Sequence, residues 1–281
     1  GLSMIMTVLR PMRIVMMDAG QGDALYVRTK EGINLLIDGG SSSNASLGEY
    51  VMTPTLDYFG VNTIDYAFVS HGDEDHISGL MYLIENQAYT GIKIKNIVLP
   101  DIDGADGYST VLTSDDNYQR LIKAANTYNT KVNYMGLGDR IEGDTCISCV
   151  HPSSTYKSDG RNGYSLSIHI AYREFSILFT GDLEYDGEED IINNVRDCDV
   201  LKIPHHGSNT STSKELLDSL EPEIALISCG INNSYGHPGR ELIDRLKNNK
   251  IEYMVTKDVG AILIEVSKAG ESYTIENVID K

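Results

Sequence analysis

Residues 66–79 read Tyr66-Ala-Phe-Val-Ser-His71-Gly-Asp73-Glu-Asp75-His76-Ile-Ser-Gly79, an apolar strand that runs straight into two histidines and three acids. Crowding this much charge at a strand end costs repulsion and desolvation. A divalent cation offsets both by taking oxygen and imidazole ligands from converging side chains. A solvated acidic turn, the plain alternative, needs neither histidine. The stretch is therefore read as the heart of a metal site, with His71, Asp73, Asp75 and His76 as candidate ligands.

Upstream of it, Met12 to Met17, Ala24 to Thr29 and Asn34 to Ile37 read as short strands closed by Gly and Asp, with a helical stretch around Leu56 before the strand Tyr66 to Val69. Downstream, Lys95 to Leu99 reads as a strand, Asp101 to Asp116 as a polar loop and Asn117 to Tyr128 as a helix. Strands return at Lys131 to Tyr134, Thr145 to Val150, Leu166 to Tyr172 and Phe175 to Phe179. The last third alternates: helix Gly187 to Asn194, strand Val200 to Ile203, helix Ser213 to Ser219, strand Ile224 to Ser228, helix Arg240 to Asn248. Two strands, Tyr253 to Thr256 and Ala261 to Val266, follow. Strands and helices interleaved in two successive halves predict an α/β protein in which two sheets pack face to face with helices outside, a four-layer αββα sandwich. With no linker, low-complexity tract or repeat in sight, residues 1–281 are read as one domain.

Further candidates follow other strands. Asp182, in Phe179-Thr-Gly-Asp182-Leu-Glu184, is placed to sit between two metals and hold them roughly 3.5 to 4 Å apart. In Leu201-Lys202-Ile-Pro-His205-His206-Gly207-Ser208, adjacent strand residues face opposite ways, so one histidine joins Asp75 and His76. His205 is preferred for this, and His206 is left to position substrate or protonate the leaving group. Lys202 is read either as a contact for a scissile phosphate or as a snorkelling edge lysine. Asp18, Asp23 and Asp38 each lie by glycines, either as outer partners of metal-bound histidines or as turn formers. His151-Pro152 ends a strand and reads as a turn histidine ahead of a ligand, and His169 within a strand is given no role.

At these residues the chain resembles the metallo-β-lactamase superfamily, whose motif is His-x-His-x-Asp-His after a strand. His71, Asp75 and His76 match, and Asp73 stands where the second histidine falls. That departure resembles the branch containing the soluble C-terminal domain of ComEC-type competence proteins. Asp18-Ala-Gly-Gln-Gly-Asp23-Ala24, Leu36-Ile-Asp38-Gly-Gly40 and Ser234-Tyr-Gly-His237-Pro238 also resemble that branch, as do the Asp182 and His205 segments, all in family order. The resemblance implies one metal held by His71, Asp73 and Asp182 and a second by Asp75, His76, Asp182 and a histidine of the pair. The superfamily's third histidine is not obvious here. The branch has an Asn before a Ser at that point, matched by Asn162-Gly-Tyr-Ser165, which makes Asn162 a weak ligand or substrate contact. His237 is implied as a substrate contact. The resemblance implies hydrolysis in which two divalent metals activate a water that Asp75 also helps to orient.

Oxygen donors in place of two histidines make manganese a rival to zinc as the pair of cofactor ions. The resemblance favours a phosphodiester substrate, as for a nuclease on single-stranded DNA or an esterase on a phosphorylated polymer. The 41 acidic against 23 basic residues give a net charge of -18, which repels polyanions and disfavours DNA, so a small ester stays open as substrate. A noncatalytic metal-binding or regulatory module and a di-iron redox variant are the other classes. No apolar run approaches the roughly 18 residues of a membrane span, and no secretory signal is visible at the start given. Cys146, Cys149, Cys198 and Cys229 are too scattered for a disulfide framework. The single Cys146-x-x-Cys149 reads as two small residues on a strand rather than a zinc site.

Overall fold

The computed structural model describes residues 11–102, 115–158 and 160–278. Most of the expected Asp101 to Asp116 loop lies outside the described residues. The strands are β1 (Met12–Met16), β2 (Leu25–Arg28), β3 (Asn34–Ile37), β4 (Thr63–Ile64), β5 (Tyr66–Phe68), β6 (Lys93–Ile94), β7 (Asn96–Pro100), β8 (Lys131–Met135) and β9 (Arg140–Ile141). They continue with β10 (Thr145–His151), β11 (Ser167–Tyr172), β12 (Phe175–Phe179), β13 (Val200–Lys202), β14 (Ile224–Ile227), β15 (Glu252–Val255), β16 (Ala261–Val266) and β17 (Tyr273–Val278). The principal helices are α1 (Thr53–Tyr58), α2 (Glu74–Glu85), α3 (Asp116–Thr127), α4 (Glu188–Asn194), α5 (Lys214–Leu220) and α6 (Arg240–Asn248).

One sheet runs in the order β17-β16-β1-β2-β3-β5-β7-β8 and the other β15-β14-β13-β12-β11-β10-β9. The twofold alternation of side chains along a strand explains how they stack. On β1, Met12, Ile14 and Met16 enter the core shared with the second sheet, while Val15 turns the other way to a core shared with α1, α2 and α3. Strand β3 does the same, with Leu35 and Ile37 inward and Leu36 outward. In the second sheet Phe175, Ile177 and Phe179 of β12 face the first sheet, and Leu178 faces the core of α4, α5 and α6. Three apolar layers between four layers of structure make this the αββα sandwich.

Besides the two-residue strands β4, β6 and β9, two longer elements escape the sequence reading. Helix α2 begins inside the charged stretch, at Glu74, and its Ile77, Leu80, Leu83 and Ile84 recur at helical spacing on the outer core. Strand β17 pairs antiparallel with β16 from Ala261↔Val278 to Val266↔Tyr273, adding an edge beyond the last expected strand. All four cysteines are free, and burial pushes the Cys149 thiol up to about 12, which disfavours its thiolate at neutral pH.

Parallel pairings β3–β5–β7 in one sheet and β12–β13–β14 in the other send their carboxyl ends the same way within each sheet. Loops at such ends are where α/β sheets place ligands. Here two glycines let them close. A Cβ on Gly40 would lie 2.4 Å from the His76 amide nitrogen, and Gly181, at φ 54°, would place one 2.4 Å from Ser70 Cβ. The turns after β3 and β12 therefore press directly on α2 and on the end of β5.

Candidate metal centre

Each side chain of the centre is delivered by a turn just beyond a strand or by the first turn of α2. The segment after β5 supplies Ser70 and His71, and α2 supplies Asp75 and His76. Asp23 comes from the turn before β2, Asp38 from the end of β3, Asp182 from the turn after β12 and His206 from the turn after β13. His71, His76, His206, Asp23, Asp38 and Asp182 are all buried.

Four triplets bring one ligand atom per residue within 4.8 Å of one another: His71, His76 and Asp182; Asp75, His76 and His206; Asp23, Asp182 and His206; and Asp23, Asp38 and His76. His76 Nε2 lies 3.2 Å from Asp182 Oδ1, and His206 Nε2 lies 3.5 Å from Asp75 Oδ2 and 3.6 Å from Asp182 Oδ2. Nε2 of His71, His76 and His206 and Oδ1 of Asp182 are nonetheless buried without a hydrogen-bond partner. Buried polar atoms are nearly always satisfied. A divalent cation that accepts lone pairs from rings and carboxylates together fits this convergent donor set.

The opposite ring edges are held. Asp38, at φ 56°, accepts the Ser70 amide on Oδ1 at 2.7 Å, and its Oδ2 lies 3.0 Å from His76 Nδ1. A carboxylate there fixes Nδ1 as the donor and leaves Nε2 for a metal. His206 Nδ1 donates to the Ser228 carbonyl at 3.1 Å. The charges balance to suit a cation. Burial opposes charge on His76, but Asp182 and Asp38 outweigh it and lift the ring well above the ordinary imidazole range. Burial opposes charge on His206 too, and Asp182 and Asp23 raise it. Burial likewise disfavours the Asp182 carboxylate, yet the charges of His206 and His76 hold it well below the usual range. The carboxylates thus favour positive charge at the place where the two rings converge.

Over residues 17–231 the sequence matches the description Metallo-beta-lactamase superfamily. The chain belongs to the metallo-beta-lactamase superfamily. It is 30% identical over 264 residues to ComE operon protein 3 of Bacillus subtilis, covering 88% of this chain and 32% of that protein. It is 28% identical to Competence protein ComA of Neisseria gonorrhoeae, covering 92% of this chain and 33% of that one. The chain thus spans about a third of the length of the curated relatives it matches. Among solved structures it shares its fold with the metallo-beta-lactamase fold protein YhfI from Bacillus subtilis. The TM-score is 0.53 at 13% identity, over 89% of this chain and 98% of that one.

Within this superfamily fold, the structure brings together His71, Asp75, His76 and Asp182, all expected ligands, and adds His206 and Asp23. Within the histidine pair it is His206, not the preferred His205, that enters these groups. His205 joins none of the triplets; its Nε2 is 3.9 Å from Asp182 Oδ2 and its Nδ1 3.3 Å from Glu184. The strand premise fails because His205 and His206 lie in a short 3-10 turn, both at positive φ of 51° and 53°, instead of alternating along β13. Asp73 also stays outside the triplets, 3.6 Å from His71 Nε2. Lys202 does not snorkel to an edge: its side chain is buried, ion-paired to Asp23 and bonded to the Gly181 carbonyl. Asp18 is exposed and accepts the Gly20 amide, which is the turn-forming role.

Asn162 lies 3.4 Å from His205 Nε2, beside the centre. His151 is excluded as a ligand, since Nδ1 is engaged by Asp190 at 2.8 Å and Nε2 by the Gly163 carbonyl at 2.7 Å. His237 closes one wall, its ring packed against His205, His206 and Tyr235. Burial and the neighbouring His206 and His205 push it down to about 4, so it is neutral at pH 7. Sequence reasoning passed over Arg161, which stands directly before the quoted Asn162-Gly-Tyr-Ser165 and whose Nη1 lies 2.9 Å from Asp73 Oδ1.

Proposed function

We propose that this protein is a metal-dependent hydrolase that cleaves phosphodiesters. The observation that carries the reading is the convergence of buried, partnerless imidazole and carboxylate atoms of His71, His76, His206 and Asp182. His71, His76 and Asp182 would hold one ion, and Asp75, His206 and Asp182, with Asp23 close by, a second. Mixed nitrogen and oxygen donors suit zinc or manganese. Divalent ions bound there would supply water activation near neutral pH and neutralise charge on a phosphoryl group.

The protein's own groups do the rest. Asp38 and the Ser228 carbonyl keep the ring edges of His76 and His206 aimed inward. Neutral His237 and exposed Tyr235 wall the approach, and the ring of His205 beside Asn162 is placed to carry a proton to a leaving oxygen. Relatives named as competence proteins support a phosphodiester over a β-lactam. The test is a substrate panel with zinc- and manganese-reconstituted protein: bis(p-nitrophenyl) phosphate, p-nitrophenyl phosphate and p-nitrophenyl acetate. Faster turnover of the diester is expected. Preference for either other ester would overturn the substrate class, and stoichiometric metal with no turnover on any would favour a noncatalytic module.

A further inference from the structure

Asp73 stands at the N-cap position of α2, with extended backbone at φ -76° and ψ 148°, yet its carboxylate caps nothing. Aspartate at that position ordinarily accepts an amide of the first turn. Instead Oδ1 lies 2.9 Å from Arg161 Nη1 while Oδ2 faces His71. The same Nη1 donates to Asp115 Oδ2 at 3.1 Å. Asp115 does cap its own helix, α3, taking the Asn117 and Tyr118 amides on Oδ1 and leaving Oδ2 for the arginine. One guanidinium nitrogen is thus held between two carboxylates that begin two helices.

The tether uses a single nitrogen of Arg161. Among the described residues, Nε and Nη2 have no hydrogen bond or ion pair, and the side chain is 45% exposed. Other cations near the centre are engaged. Lys202 is buried on Asp23, Lys257 donates to the His237 carbonyl, and Arg245 donates to the carbonyls of Asn209, Ser211 and Thr212. A planar guanidinium held in place with spare donors matches two oxygens of a phosphate group in a way an ammonium does not. In a chain of net charge -18, a cation at the centre is also what an anionic substrate needs to dock.

Building on the phosphodiester reading, we propose that Arg161, tethered by Asp73 and Asp115, binds the nonbridging oxygens of the substrate phosphate. On this account Asp73 positions that arginine instead of ligating a metal. The superfamily position that carries a histidine in the motif has been given over to substrate binding.

The experiment compares manganese-loaded wild type, Arg161→Ala, Arg161→Lys and Asp73→Asn. It measures metal content, calorimetric binding of inorganic phosphate, and kinetics on bis(p-nitrophenyl) phosphate. Arg161→Ala is expected to weaken phosphate binding and raise KM roughly tenfold or more, the range of a lost charge-assisted hydrogen bond. Its kcat should stay within about threefold, since binding and not the chemical step is removed. Arg161→Lys should recover only part of the affinity, and Asp73→Asn should keep its metal while showing a milder form of the same loss. Unchanged phosphate affinity and KM in Arg161→Ala would overturn the proposal, as would metal loss in Asp73→Asn. If wild type binds phosphate without turning over the diester, the hydrolase reading fails by itself, and the phosphate affinities still decide the role of Arg161.

Discussion

His205 and His206 are neighbours in sequence, but His206 brings its Nε2 to both Asp75 Oδ2, at 3.5 Å, and Asp182 Oδ2, at 3.6 Å, whereas His205 Nε2 is 3.9 Å from Asp182 Oδ2. His206→Ala should therefore lose at least one metal ion on dialysis, whereas His205→Ala should retain its metal and lose turnover. Equal metal loss in both, by inductively coupled plasma mass spectrometry, would contradict the assignment. The raised His76 and His206 rings make a second prediction at this scale. The surrounding carboxylates favour a proton on each ring, so metal binding competes with those protons and displaces them. Affinity should then fall as pH is lowered, by about tenfold per pH unit for each proton displaced. Calorimetry in buffers of different ionisation enthalpy would show the proton release, and none at pH 7 would sink the idea. Most of the converging residues were legible because each stands in a short charged stretch at a strand end. The orientation of His206 was not legible because a pair of positive-φ residues leaves no mark in the residue types, nor were the contacts of Arg161, whose partners come from distant segments.

At the scale of elements, the centre depends on how closely the turn after β3 approaches the start of α2. Gly40→Ala would drive a Cβ to 2.4 Å from the His76 amide nitrogen, against backbone that has no soft neighbour to yield. The expected cost is about 1 to 3 kcal/mol in urea unfolding, typical of overpacking, together with weakened metal binding as His76 moves. A variant with wild-type stability and metal content would show that the turn is not packed as described. Strands of the inner layers were readable from their continuous apolar runs. Helix α2 was not, because its polar first turn serves the centre and hides the apolar spacing of Ile77, Leu80 and Ile84 that follows. Strand β17 was missed for the opposite reason. Its Tyr273 and Ile275 are only partly buried against the inter-sheet core, and an edge strand carries a weaker pattern than a central one.

For the molecule as a whole, charge and fold pull apart. The two sheets and two outer helix layers follow directly from alternation and order of elements, and the net charge of -18 does not affect them. It does affect association. A single-stranded oligonucleotide should meet long-range repulsion, so its KM is expected to fall as salt is raised and the Debye length shortens towards roughly 8 Å. A protein gripping DNA through many phosphate contacts shows the reverse, and that reverse would contradict the expected repulsion. The convergent histidines and aspartates are expected to form a working metal centre. The most direct measurement is the rate of bis(p-nitrophenyl) phosphate hydrolysis by chelated protein before and after adding manganese or zinc, beside Asp182→Ala. Metal-restored turnover in wild type, with at least a roughly hundredfold loss in the variant, is the predicted result. Near wild-type turnover in Asp182→Ala, or none in fully metal-loaded wild type, would contradict it.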